Sequence, residues 1–175
     1  VGVGQSETTV ADMVDLFCLL LSPAAGDELQ GIKKGIVELA ELIVVNKADG
    51  PLLATAQRTV ADYRAALHLI RPLSTSWKPE VIAASAREGN GLDHVWATIK
   101  RHQELLTANG EKTDRRGEQA QAALWADLGD RLLQALRHKP EIARRIPGIE
   151  ADVRSGALLP MTGARLLLEL FASTA

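Results

Sequence analysis

The chain has 175 residues, 46% of them hydrophobic and 24% charged, with a formal net charge of −2. That size and composition suit one globular domain, or a partial domain with an appendage. The charge balance offers no basic surface for nucleic acid, the longest strongly apolar run (Leu16 to Leu21) is too short for a bilayer, and a lone cysteine, Cys18, excludes an internal disulfide.

Gly2-Val3-Gly4-Gln5-Ser6-Glu7-Thr8 reads as a loop running into a short helix, with Ser6 as N-cap and Glu7 in the first turn. No basic-then-apolar leader is visible, so the expected compartment is the cytoplasm, or an organelle reached by a signal not present here. Residues 14–21 read as a buried strand, with Cys18 a small hydrophobe inside it. Ser22 to Gly26 forms a loop around Pro23. Apolar positions 29, 32, 36, 39 and 40 then predict a helix over 29–40. The next strand, 41–45, feeds the turn Asn46-Lys47-Ala48-Asp49. A helical pattern follows from Pro51 to about Ile70, and Pro72 ends it. Strand 80–84 leads into Ser85-Ala86, Gly89 and Gly91 make a turn, and a helix covers 92–108. Asn109-Gly110 closes this part.

Beyond lies a charged stretch, Glu111 to Gln119, then helices without strands. Leu124, Leu128, Leu132 and Leu136 fall four apart on one helix stripe, with Trp125 beside them. Pro147-Gly148 and Pro160 break the remainder, and the last helix carries Leu166, Leu167, Leu168, Leu170 and Phe171. The stripe either packs on the sheet domain of its own chain or forms a homodimer seam.

The cadence of strand and helix predicts an α/β fold with a doubly wound parallel sheet over 1–110, followed by an all-helical extension over 111–175. The two strand-end motifs carry the chemistry. A carboxylate such as Asp49 only accepts hydrogen bonds, so it suits the N1–H and exocyclic amine of guanine. Adenine presents a lone pair at the matching ring nitrogen, and an unpaired buried group costs about 1–3 kcal/mol. Asn46 can brace the loop and reach the base edge, and the stem of Lys47 can lie across the ring. Ser85-Ala86 adds a tight turn whose backbone N–H can donate to the guanine carbonyl. An isolated Asn-Lys-x-Asp would read as a polar turn; two such motifs at the carboxyl ends of neighbouring strands read as a guanine site. His68, His94, His102 and His138 fall at no metal-ligand spacing, so no metal site is expected from these residues. Trp77, Trp96 and Trp125 read as packing residues.

Four segments together resemble one family. They are Val1-Gly-Val-Gly-Gln-Ser-Glu7, Ala11-Asp-Met-Val-Asp15, Gly26-Asp-Glu-Leu-Gln-Gly-Ile-Lys-Lys-Gly35 and Val45-Asn-Lys-Ala-Asp49. The chain is similar to the MeaB/ArgK P-loop GTPases, the methylmalonyl-CoA mutase-associated GTPases, over essentially its whole length. The resemblance implies a cytosolic or mitochondrial protein that binds GTP and GDP. It also implies gating of cofactor loading into an adenosylcobalamin-dependent acyl-CoA mutase and protection of that enzyme. Family members form homodimers through C-terminal helices, and older descriptions make them kinases or ATPases of lysine/arginine/ornithine transport.

By the same resemblance, Gly2 matches a γ-phosphate-sensing glycine, and Gln5, Ser6 and Glu7 the mobile segment after it. Gln5 reads either as a water-orienting residue or as a polar residue starting a helix. Asp27, Gln30 and Lys33 match a second mobile, partner-facing loop, although Lys33 and Lys34 read equally as a solvated helix face. Nothing matches Gly-x-x-x-x-Gly-Lys-Ser/Thr, the phosphate-cradling loop. The chain is therefore expected to be the C-terminal part of such a GTPase. The phosphate loop and the Mg2+ ligands would lie upstream, and the fragment alone would be inactive.

Overall fold

A computed structural model describes residues 10–23, 34–68 and 74–173. Three short strands form one parallel sheet in the order β1 (Cys18–Leu21), β2 (Leu42–Val45), β3 (Glu80–Ala83). Cys18 pairs with Leu42 and Leu42 with Glu80, so the three strands start level and finish level. All four residues of β2 are buried, as a central parallel strand covered on both faces requires. Its side chains alternate between two cores. Ile43 and Val45 pack with Phe17, Val37, Val60 and Tyr63, while Leu42 and Val44 pack with Ile82, Val95 and Ile99. Each fully buried aliphatic contributes roughly 1.5–3 kcal/mol.

The helices supply those covers. The first core takes α1 (Lys34–Leu39) and α2 (Leu53–Leu67), which follows a 3-10 turn at Gly50–Leu52 with Pro51 at its start. Ala56, Val60 and Tyr63 form the buried stripe of α2. On the other face, α3 (Leu92–Ala108) buries Thr98, His102 and Leu106. Helices on both faces of a parallel sheet are the doubly wound arrangement expected from the sequence. Asn109 and Gly110 (φ +86) end α3, and α4 (Glu111–His138) begins at once.

Several local expectations need correction. The first strand is Cys18–Leu21, not 14–21, because Glu41 and Leu42 both donate backbone N–H groups to the Phe17 carbonyl and the ladder starts only after it. The charged stretch 111–119 is helical. This agrees with the helical extension expected over 111–175, and its charges find partners on the sheet side. Trp77 is buried at 4%, but Trp96 and Trp125 are exposed at 58% and 65%. Cys18 is half-buried, and burial pushes its thiol pKa up. The part of the expected helix 29–40 that precedes Lys34, and the stretch 69–73, lie outside the described residues.

The compact division of the chain falls between Gln119 and Ala120, inside α4. The C-terminal unit holds the rest of α4, then α5 (Pro140–Ser155) and α6 (Pro160–Ser173). Pro147-Gly148 does not break α5, which runs on through it. An interior proline costs about 3 kcal/mol, but Ile149 and Val153 just beyond it pack closely against α6. A Cβ on Gly163 would lie 3.2 Å from a methyl of each. Gly156 (φ +78) ends α5, and the Leu158 N–H closes back on the Asp152 carbonyl at 3.1 Å. Leu124, Leu128 and Leu132 are exposed along α4.

Candidate nucleotide site

The carboxyl ends of β2 and β3 deliver two loops to one place. Asn46 follows β2 directly, and its N–H donates to the Leu21 carbonyl at 2.8 Å, which ties the loop to the end of β1. Lys47 then takes a left-handed backbone (φ +61), the one non-glycine residue with positive φ among the described residues. Such a conformation costs an L residue about 1–2 kcal/mol and is typical of sites where the surroundings impose it. The Ala48 N–H reaches across to the Ala84 carbonyl at 3.0 Å, and Asp49 opens the 3-10 turn. Lys47 is exposed, whereas Ala48 is buried beneath the loop.

The second loop meets the first through side chains. Ser85 is fully buried, and its Oγ donates to Asp49 Oδ2 at 2.5 Å. That direction follows because a carboxylate only accepts, and the same Oγ also accepts the Glu88 N–H at 3.1 Å. A carboxylate keeps further lone pairs after one such bond, so Asp49 retains room for two N–H donors. The Ala86 N–H donates to Asn46 Oδ1 at 3.1 Å, and the Ser85 N–H to the Asn90 carbonyl at 2.8 Å. Both backbone donors of Ser85-Ala86 are thus used inside the protein. A base carbonyl would have to share or take over the Ala86 N–H from Asn46.

Asn46, Lys47, Asp49, Ser85 and Ala86 are therefore brought together. Gly2, Gln5, Ser6, Glu7, Asp27, Gln30 and Lys33 lie outside the described residues. A cleft of about 240 Å³ opens beside Asp49, lined among others by Leu53, Gln57, Glu88 and Asn90. Glu88 and Asn90 escaped sequence reasoning. Asn90 Nδ2 donates to Glu88 Oε2 at 2.9 Å, and both hold the Ser85 turn through their backbones. Gly91 (φ +77) completes it, packed so closely on β3 that a Cβ would lie 2.5 Å from the Ala83 carbonyl oxygen.

A second polar cluster, also invisible in the sequence, sits at the opposite ends of the strands. Glu41, just before β2, is 3% exposed. Its carboxylate accepts from the Phe17 N–H at 3.2 Å, from both terminal nitrogens of Arg115 at 2.9 and 2.7 Å, and lies 3.3 Å from His102 Nε2. Burial works to raise the pKa of this carboxyl; the hydrogen bonds from His102 and Arg115 outweigh it and hold the value down to about 2.

Around Asp49, two loops from neighbouring strand ends are tied to each other beside one cleft. The family model described as Methylmalonyl Co-A mutase-associated GTPase MeaB matches residues 1–141. The chain belongs to this family. A relative of this MeaB-family chain in Caulobacter vibrioides is 50% identical over 98% of the chain and 52% of its own length. The mouse protein named methylmalonic aciduria type A homolog, mitochondrial, is 47% identical over 99% of the chain and 42% of its own. A solved structure, described as a LAO/AO transport system kinase, superposes with a TM-score of 0.76 at 37% identity, covering 98% of this chain and 55% of that one. The chain thus spans about half the length of the relatives it matches. Among the described residues no helix is long and apolar enough to cross a membrane.

Proposed function

We propose that this MeaB-family chain carries the guanine-reading part of a GTP-hydrolysing switch serving an adenosylcobalamin-dependent acyl-CoA mutase. The observation that carries the reading is the Ser85–Asp49 hydrogen bond. It fixes one carboxylate oxygen and leaves the remaining acceptor capacity for the two donors of guanine. Asn46 and Ala86 meet the carbonyl edge, and the Lys47 stem covers the ring. Gly2 senses the γ-phosphate, Gln5 orients water, and Ser6, Glu7, Asp27, Gln30 and Lys33 form the switch and partner-facing segments.

The switch acts as a chaperone, gating cofactor loading into the mutase and protecting it, in the cytoplasm. The exposed leucines of α4 support a homodimer seam within 111–175. GTP brings Mg2+. Among the described residues no group of three or more carboxylate, histidine or cysteine side chains is placed to hold an ion, so its ligands are expected outside them. Phosphate positioning is assigned to other parts of the gene product, so these residues alone are expected not to turn GTP over.

Titrating the full gene product with GDP and ADP by calorimetry tests the reading. GDP should bind at least about a hundredfold more tightly; ADP binding as tightly as GDP would remove it. Similarity to the solved LAO/AO transport system kinase favours a second reading, an accessory nucleotidase or kinase of lysine/arginine/ornithine transport. Co-purification with a transporter component in place of an acyl-CoA mutase would select it.

A further inference from the structure

The residues just before β1 and β2 are gripped by the first turns of α4. Arg115 donates to Glu41 and also to the Asp15 carbonyl at 2.7 Å. Arg116 forks onto the Asp15 carboxylate at 2.8 and 2.6 Å, and Gln119 Nε2 donates to the Val14 carbonyl at 2.9 Å. Glu111 accepts from the hydroxyls of Ser74, Thr75 and Ser76 in the segment leading to β3. At the other end of the same strands the Asn46 N–H joins β2 to the Leu21 carbonyl of β1. Between these two ties each strand is only about 13 Å long.

We propose that the root of α4, residues 111–119, is a clamp whose closure is thermodynamically linked to guanine-nucleotide occupancy at the far ends of β1 and β2. This rests on the guanine reading of Asp49 and its neighbours. Stability alone does not require charges here, since apolar residues replace buried ion pairs with neutral or favourable effect in many proteins. The helix it grips is the one that continues past Gln119 into the C-terminal unit. A nucleotide that firms the Asn46 loop firms both strand ends, and through strands this short it firms the contacts of Val14, Asp15 and Glu41 with α4. Linkage then demands the reverse: loosening the root weakens nucleotide binding by the same factor.

Hydrogen–deuterium exchange of the 112–119 amides, with and without saturating GDP, tests this in the full gene product. GDP should slow that exchange by about fivefold, a typical coupling. Arg115→Lys keeps the charge but loses the forked geometry, and should weaken GDP binding by a similar factor while abolishing the GDP-dependent slowing. Arg116→Ala breaks only the exposed pair with Asp15 and leaves the Glu41 cluster whole, so it serves as the milder variant, with about a twofold loss. Arg131→Ala, which breaks an exposed pair with Asp127 further along the helix, should change neither. A purely structural staple would alter exchange equally with and without GDP, and that result overturns the proposal. So does GDP affinity unchanged in both root variants. Failure of the unaltered protein to prefer guanine nucleotides would instead sink the site assignment, and the clamp with it.

Discussion

Gly89 and Gly91 share a left-handed backbone, with φ of +78 and +77, yet their surroundings differ. A Cβ at Gly89 meets nothing within 4 Å, whereas one at Gly91 meets the Ala83 carbonyl oxygen at 2.5 Å and the Ala84 Cα at 3.2 Å. Backbone cannot move aside as a side-chain tip can. Gly89→Ala should therefore cost about 1–2 kcal/mol from its φ alone, and Gly91→Ala about 2–4 kcal/mol once the displaced β3 end is included. Urea unfolding of the two variants checks the order; equal losses would contradict it. The five residues proposed to read the base could be singled out in the sequence because hydrogen-bond polarity dictates which side chains can tell one purine from another, and the fold brings them together. Glu88 and Asn90 could not be singled out. They act chiefly through backbone groups and through each other, and side-chain identity alone does not reveal that.

At the scale of elements, the sequence announces strands and helices by apolar period but says little about what grips their ends. Helix α3 was legible at both ends because Gly91 and Asn109-Gly110 punctuate it. Strand β1 is shorter than its apolar run, with the Val14 and Asp15 carbonyls bonded to side chains of α4. Glu41 meets Arg115 across 74 positions of chain. No local pattern encodes such a pairing.

That pair predicts a pH dependence with a definite sign. The Glu41 carboxyl ordinarily titrates near 4.5 and is held at about 2 in the fold. Its contribution is therefore complete above pH 4.5 and is lost as the pH falls toward 2. Thermal unfolding across that window should show a loss on the order of 3 kcal/mol from this group. In Glu41→Gln that portion of the acid sensitivity should be missing. An unchanged acid limb in the variant would mean that other carboxylates carry it.

For the whole molecule, a parallel sheet wound on both faces and a helical C-terminal unit were both foreseen, since alternating and then uninterrupted helical patterns differ plainly in period. Helix α5 continues through Pro147 because its packing on α6 offsets the missing hydrogen bond, a tertiary effect that a local rule about proline cannot contain. Leu124, Leu128 and Leu132 of the α4 stripe remain exposed in the single chain, consistent with the homodimer proposed above.

In the proposed site, base selection rests above all on Asp49 demanding two donors. Replacing it with asparagine turns one acceptor into a donor, which suits the second carbonyl of xanthine and opposes the amine of guanine. Competitive titration of Asp49→Asn in the full gene product with GDP and xanthosine diphosphate measures this directly. The predicted result is a shift of the GDP-to-xanthosine preference by at least about a hundredfold toward xanthosine; a preference for GDP left as it was would contradict the account.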